Sequence, residues 1–269
     1  MHRHRLGTGD RERGRRRAVL VYHSIGSVPR GAPGFNGFIP AARFAAQMAY
    51  LAEHRRVVAL DDLFDPAPEP GPPRVAITFD DAYRSAFDHA VPVLRALGLA
   101  ATFFVATKWI GGRNVWDRPS DLPLDLMTPE QLVELDGSGF AVESHGHAHI
   151  DYARADPRAV EEDVRASVER LTELLDRPPR YLAYPYGRAS PAAVAEARRL
   201  DLRAAFTLDR PQQITGDFAF ARTPVVPADR RLILGLKSAG RYIGWRHSTP
   251  VRAAYGALRP LVRNRWLWP

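Results

Sequence analysis

The stretch SHGHAHID, residues 144–151, sets His145, His147 and His149 at alternate positions, and imidazole is the commonest side-chain metal ligand. On a strand that continued through the segment, all three rings would share one face. If the strand ends here, rings at i and i+4 meet across one helical turn or a tight loop, which favours His145 with His149. The bland alternative is a solvated, histidine-rich loop. The chain has no cysteine, so any further metal donor must be Asp, Glu or another His. AITFDDAYRSAF, residues 76–87, offers adjacent carboxylates, Asp80 and Asp81, behind an apolar run. Neighbouring side chains at a strand end point apart, so the pair suits two tasks: one carboxylate ligates a cation while the other accepts a proton. Alone, an Asp-Asp pair is as often a helix cap. Combined with His-x-x-x-His at another strand end, it points to metal-assisted hydrolysis.

These residues need elements that bring them together. AVLVYHSIG reads as a first strand, residues 40–55 as a helix opened by Pro40, and VVAL as a short strand. The Pro-rich connection 65–73 leads to RVAITF, a buried strand. SAFDHAVPVLRALG follows as one helix ending at Gly98, then the strand ATFFVAT. Thr128, Pro129 and Gln131 mark the capped start of another helix. FAVES runs into the histidines, and a long charged amphipathic helix, the strand RYLAYP, a helix from SPAAVAEARRLD and the strand RAAFTL complete the pattern. Such alternation predicts a parallel α/β sheet or barrel, whose chemistry collects at the C-terminal ends of its strands. His23, Asp80, Asp81, His145 and Tyr184 all fall at such ends.

With 269 residues, 45% of them hydrophobic, the chain can bury a substantial core. Its net charge of +8 sits at the ends: residues 1–17 carry +5 and residues 230–269 carry +9, leaving the body from 18 to 229 at −6. The high isoelectric point therefore gives no ground for nucleic-acid binding. No run reaches the roughly 18–20 apolar residues of a membrane span, and the arginine-rich start meets a histidine and a glycine before an apolar signal region develops. The expected location is cytoplasmic.

TFDD (78–81), SHGHAH (144–149) and YPYG (184–187), in that order, resemble the three leading motifs of the polysaccharide deacetylases, the NodB-homology group of carbohydrate esterase family four. VLVYHSI, ARFAAQMAYLAEHRRVVALDDL, PVLRALGLAATFFV and the Arg222 region are similar to the branch that includes the poly-N-acetylglucosamine deacetylases. The similarity covers about residues 18–226. It implies one domain over residues 18–229, a distorted (β/α) barrel of the NodB-homology type, between a basic, disordered N-terminus at 1–17 and a basic, aromatic-rich helical segment at 230–269. It implies Asp81, His145 and His149 as ligands of a divalent metal, zinc first, with cobalt, manganese or nickel as alternatives. It makes Asp80 the general base and sets the backbone N–H of Tyr186 at the oxyanion. The implied reaction is hydrolytic N-deacetylation of an N-acetylated glycan, releasing acetate. His147 is left to a packing role.

The match departs from the family pattern at three places. Ala183 stands where an arginine usually orients the base, so the replacement either comes from elsewhere, with Arg222 and Arg188 as candidates, or is dispensable. The late Leu-x-x-His motif has no counterpart, which leaves His23 on the catalytic edge, or His247 in a peripheral segment, to protonate the leaving amine. Ala82 occupies a position where glycine is common. Two rival readings follow: hydrolysis of a non-sugar amide or cyclic imide, and a carbohydrate-binding relative without turnover, against which the retained Asp80 argues.

In the C-terminal segment, Arg252, Arg259 and Arg263 share one side of a helical wheel, with Val251, Tyr255, Leu258 and Val262 opposite and Trp245, Trp266 and Trp268 nearby. Two placements suit this pattern: peripheral contact with an anionic membrane at its inner face, or closure of the bottom of the barrel.

Overall fold

In the computed structural model, residues 17–27, 37–65, 71–116, 123–208 and 216–242 are described. Strands and helices alternate as β1 (Arg17–Tyr22), β2 (Ser24–Ile25), β3 (Phe38–Ile39), α1 (Ala41–His54), β4 (Arg56–Val57), α2 (Leu60–Phe64), β5 (Arg74–Phe79), α3 (Arg84–His89), α4 (Val91–Leu97), β6 (Thr102–Val105), α5 (Pro129–Gly137), β7 (Ala141–Ser144), α6 (Pro157–Leu175), β8 (Tyr181–Ala183), α7 (Pro191–Arg199), β9 (Ala204–Leu208), β10 (Phe220–Pro224) and α8 (Arg231–Ser238). Arg17, expected in the basic leader, is the first residue of β1.

Seven strands close into a parallel barrel in the order β1-β10-β9-β8-β7-β6-β5, and β5 pairs back onto β1 from Arg17↔Arg74 to Tyr22↔Phe79. The ring is uneven. β4 takes the edge of β5 at Arg74 and Val75, so β6 meets β5 only at Thr78 and Phe79, and β7 meets β8 only at Ser144↔Leu182. This is the distorted (β/α) barrel expected from the motifs.

The strands read as continuous apolar runs because both faces are covered. Along β5, Val75, Ile77 and Phe79 pack outward in the layer that holds Phe44, Met48 and Leu51 of α1, while Ala76 turns inward to meet Val19, Phe104, Tyr181, Ala183, Ala204 and Phe206. Val58, Leu60 and Leu63 join that inner cluster, so α2 and the residue that follows β4 fill the barrel floor. This corrects one expectation. VVAL is not a strand throughout: β4 ends at Val57, the Val58 N–H still donates to the Val75 carbonyl of β5 at 3.0 Å, and Leu60 starts α2 with its side chain in the floor.

The helix expected over 85–98 is two helices, α3 and α4. Pro92 lacks the N–H that would bond the Asp88 carbonyl, which interrupts the ladder at Ala90. Gly98 caps α4 in the left-handed conformation, at φ 62°. The capping box at Thr128 and Gln131 forms as predicted. Among the described residues, no helix is long and apolar enough to cross a membrane.

Candidate metal and catalytic site

β5 delivers both aspartates to the C-terminal mouth of the barrel. Asp80 still follows the strand, its N–H donating to the Tyr22 carbonyl at 2.9 Å. The chain then turns through left-handed conformations at Asp81 (φ 69°) and Ala82 (φ 53°), so the second carboxylate swings away from the first. A glycine would adopt Ala82's conformation without strain, which accounts for its frequency at this motif position. Of six described non-glycine residues with positive φ, four surround this mouth: Asp81, Ala82, His149 and Tyr186. Strain is therefore concentrated at the site.

The Asp81, His145 and His149 side chains are buried, and one donor atom from each lies within 4.8 Å of the others. His145 Nε2 is 3.5 Å and His149 Nε2 3.3 Å from Asp81 Oδ1. His145 Nδ1–H donates to the Ala183 carbonyl at 2.7 Å, which fixes the tautomer and turns the Nε2 lone pair toward the carboxylate. Asp81 Oδ1 has no hydrogen-bond partner although it is buried. Two imidazole nitrogens converging on a carboxylate oxygen that has no partner fit a divalent cation. Burial pushes the Asp81 carboxyl up, but His149 and His145 outweigh it and hold it far below the ordinary range. Burial likewise drives the His145 ring down to about 4, so it is neutral and able to ligate at physiological pH.

His147 belongs elsewhere. Its Nδ1 shares a 2.9 Å hydrogen bond with the Thr107 hydroxyl, and its backbone N–H donates to Asp163. β7 ends at Ser144, so the alternation that would align three rings never develops. The loop is instead held from outside by Asp163 of α6, which accepts from the N–H groups of His147 and Ala148 and from the Tyr152 hydroxyl, at 2.7–2.8 Å. Sequence reading missed Asp163, although a signal existed: it interrupts the buried stripe Val160, Val164, Ser167, Val168 and Leu171 of α6.

Asp80 faces into the barrel and is clamped by Arg222 of β10 through two hydrogen bonds, 2.6 Å from Nη1 to Oδ1 and 2.7 Å from Nη2 to Oδ2. Arg222 is wholly buried, its guanidinium 5.2 Å from the Phe104 ring centroid. Burial raises the Asp80 carboxyl, but the Arg222 charge, with His145, the Arg222 hydrogen bonds and His23, carries it below its ordinary value. Arg222 thus makes a contact to Asp80 that Ala183 cannot. Arg188, the other candidate, is committed to Asp151 at 2.6 Å. His23 follows β1, half-buried, near enough for its charge to lower both aspartates. His247 lies outside the described residues.

Tyr186 sits in the turn Pro185–Gly187 with its ring 4.7 Å from that of His149 and edge-on to it. Trp116 stacks on His149 at 4.5 Å, and Trp109 lies 6.2 Å from Trp116. Sequence reading gave neither tryptophan a role, because nothing in the loop spacing aligns them with the histidines.

Comparison with known proteins agrees with this fold. YxkH of Bacillus subtilis is 25% identical over 215 residues, 78% of this chain and 71% of that protein. The poly-beta-1,6-N-acetyl-D-glucosamine N-deacetylase of Staphylococcus epidermidis is 28% identical over 159 residues, 56% of this chain and about half (53%) of that enzyme. Among solved structures, IcaB from Ammonifex degensii superposes with a TM-score of 0.68 at 25% identity, over 86% of this chain and 97% of that one. The Streptococcus pyogenes deacetylase PplD, solved with acetate, shares the fold at 21% identity and a TM-score of 0.65, over 78% and 92%. The sequence model of the polysaccharide deacetylases matches residues 67–205, a span that takes in the carboxylate pair, the histidine loop and the Tyr184–Gly187 turn, and the chain belongs to that family.

Proposed function

We propose that the protein is a metal-dependent N-deacetylase that hydrolyses the acetamide of an N-acetylated glycan to acetate and a free amine. The observation that carries this reading is Asp80: a buried carboxylate held ionised by Arg222, beside but outside the Asp81, His145 and His149 cluster. A protein that only binds sugar has no use for a desolvated base kept in its charged form. When bound to that cluster, a divalent cation, zinc by the donor set, supplies Lewis acidity toward the acetamide carbonyl.

This chain's own residues do the rest. Asp80 accepts the proton of the attacking water, and Arg222 holds both carboxylate oxygens so that the base keeps one orientation. The backbone N–H of Tyr186 is assigned to the developing oxyanion. His23, on the same rim, gives a proton to the departing amine. Trp116, Trp109 and Tyr186 provide aromatic faces beside His149 on which a sugar ring can lie.

The test is acetate release by the purified, metal-loaded protein from a panel of N-acetylated glycans that includes β-1,6-linked N-acetylglucosamine oligomers. Asp80→Asn should lose turnover while retaining glycan binding. Cleavage of a non-sugar amide or cyclic imide, with no acetate from any glycan, would overturn the proposal.

A further inference from the structure

The two histidines of the metal cluster are oriented by different means. A ligating imidazole ordinarily gives its second ring nitrogen to an acceptor, which fixes the ring against rotation. His145 does so at the Ala183 carbonyl, but His149 Nδ1 is buried and has no hydrogen-bond partner among the described residues. His149 also stands on left-handed backbone, at φ 59°, outside any strand or helix that would hold it. Its ring is restrained by aromatic contact instead. Trp116 lies on it with the centroids 4.5 Å and the planes 26° apart, and the Tyr186 ring meets it edge-on at 4.7 Å.

Trp116 is braced against the turn that carries Asp81. The Met127 N–H donates to the Ala82 carbonyl and the Arg84 N–H to the Asp125 carbonyl, at 2.9 Å each. On their other side the same residues pair with 111–114: Gly111 N–H donates to the Met127 carbonyl at 2.8 Å, Leu126 N–H to the Gly112 carbonyl at 2.9 Å and Asn114 N–H to the Leu124 carbonyl at 3.1 Å. Asn114, only 5% exposed, locks this ladder, its amide donating to the Tyr83 hydroxyl at 3.1 Å and accepting the Leu124 N–H. Two residues on, Trp116 reaches His149. At the other end of the segment the Lys108 N–H donates to the His147 carbonyl at 2.9 Å, and Trp109 Nε1 to the Ala148 carbonyl at 3.3 Å, beside the ligand itself. Residues 108–116 thus run from the histidine loop to the Asp81 turn and back onto the His149 ring. A sugar platform needs an indole at the mouth, not one laid against a ligand.

We propose that Trp116 is a positioning residue for the metal: its indole does for His149 what the Ala183 carbonyl does for His145, holding the plane of the ring so that Nε2 faces Asp81 Oδ1. A stacked indole offers the ring no acceptor, so it sets the orientation by shape and close contact. A flat aromatic side chain is then what position 116 requires, and apolar bulk alone does not suffice. This role rests on the assignment of Asp81, His145 and His149 to the divalent ion, and it is independent of the substrate.

Zinc affinity of the full chain, measured by competition with a chelating dye, tests this role, with calorimetric unfolding to confirm that each variant is folded. Trp116→Ala and Trp116→Leu should bind zinc roughly tenfold more weakly, and Trp116→Phe should stay within about threefold of the unmodified chain. Trp116→Leu keeps the test valid if Trp116→Ala fails to fold. Loading with cobalt(II) gives a second readout, because the visible absorption of the ion reports its ligand geometry. That spectrum should change in the alanine and leucine variants and be retained in Trp116→Phe. A sugar platform alone would raise KM for the glycan and leave zinc affinity and the cobalt spectrum as they were; that result in folded Trp116→Leu would overturn the proposal. An unmodified chain that binds no zinc would overturn the metal assignment, and the positioning role with it.

Discussion

Asp80 and Asp81 share a peptide bond and almost no surroundings. Asp80 is fixed inside the barrel by a buried arginine, and Asp81 looks out at two imidazoles across a left-handed turn. That division of labour makes the metal set separable by mutation. Asp81→Ala, His145→Ala and His149→Ala should each abolish most binding of about one divalent ion per chain, because two remaining protein ligands form a weak site. His147→Ala should leave binding intact, since its ring is occupied with Thr107. Elemental analysis of the purified variants checks both statements, and equal losses in His147→Ala and His149→Ala would refute the assignment. For His23, removal of a positioned general acid should lower kcat by roughly 10²–10⁴-fold with metal content unchanged. A much smaller loss in His23→Ala, measured as acetate release, would return the residue to a structural role.

At the scale of elements, the histidine loop depends on α6 as much as on β7. Gly146 adopts φ +76°, and a Cβ there would lie 2.5 Å from Tyr152 Oη and 2.7 Å from Asp163 Oδ2. Gly146→Ala should therefore strain the backbone by about 1–3 kcal/mol and push the loop off its anchor. A Tm lower by at least about 2 °C and weaker metal binding are expected, read by calorimetry with and without zinc. Unchanged metal affinity would show that the anchor does not position the ligands. Alternation of strands and helices left a parallel sheet and a barrel open until the family motifs decided between them, and spacing favoured the pairing of His145 with His149. Arg222 could be named only as one of two candidates, because it lies 142 residues from Asp80 and only closure of β10 onto β1 brings them together. Asp163 stayed hidden because a lone acid on an apolar stripe does not announce its partner.

β7 carries a second buried acid, Glu143, in register with the inward-facing Phe104 and bonded by the N–H groups of Arg180 and Tyr181. Burial raises its carboxyl from 4.5 to about 7, against the pull of those bonds and of Arg177. The folded protein thus binds this proton more tightly than the unfolded chain does. The associated stability is complete below about pH 4.5 and disappears as pH rises through about 7. Glu143→Gln should flatten that part of the pH–stability profile in denaturant titrations, and an unaltered slope would exclude Glu143 as its source.

For the molecule as a whole, the open question is what the basic C-terminal segment does, since the helix expected at 251–263 lies outside the described residues. α2 already fills the barrel floor, and α8 is tied to α1 by Arg55, which donates to the Gly235 carbonyl and the Ser238 hydroxyl at 2.9 Å each. With all seven barrel strands paired within the described residues, a chain ending at residue 248 should keep its Tm within about 3 °C. For the remaining segment we propose the membrane placement, in which the arginines are drawn to anionic headgroups and the apolar residues are held by burial. Co-sedimentation with phosphatidylglycerol vesicles measures this contribution. The full chain should sediment with anionic vesicles and less so as salt rises, and the shorter chain should stay in solution. Equal partitioning of the two folded chains would remove the segment from membrane binding, and collapse of the shorter chain would assign it to packing against the barrel.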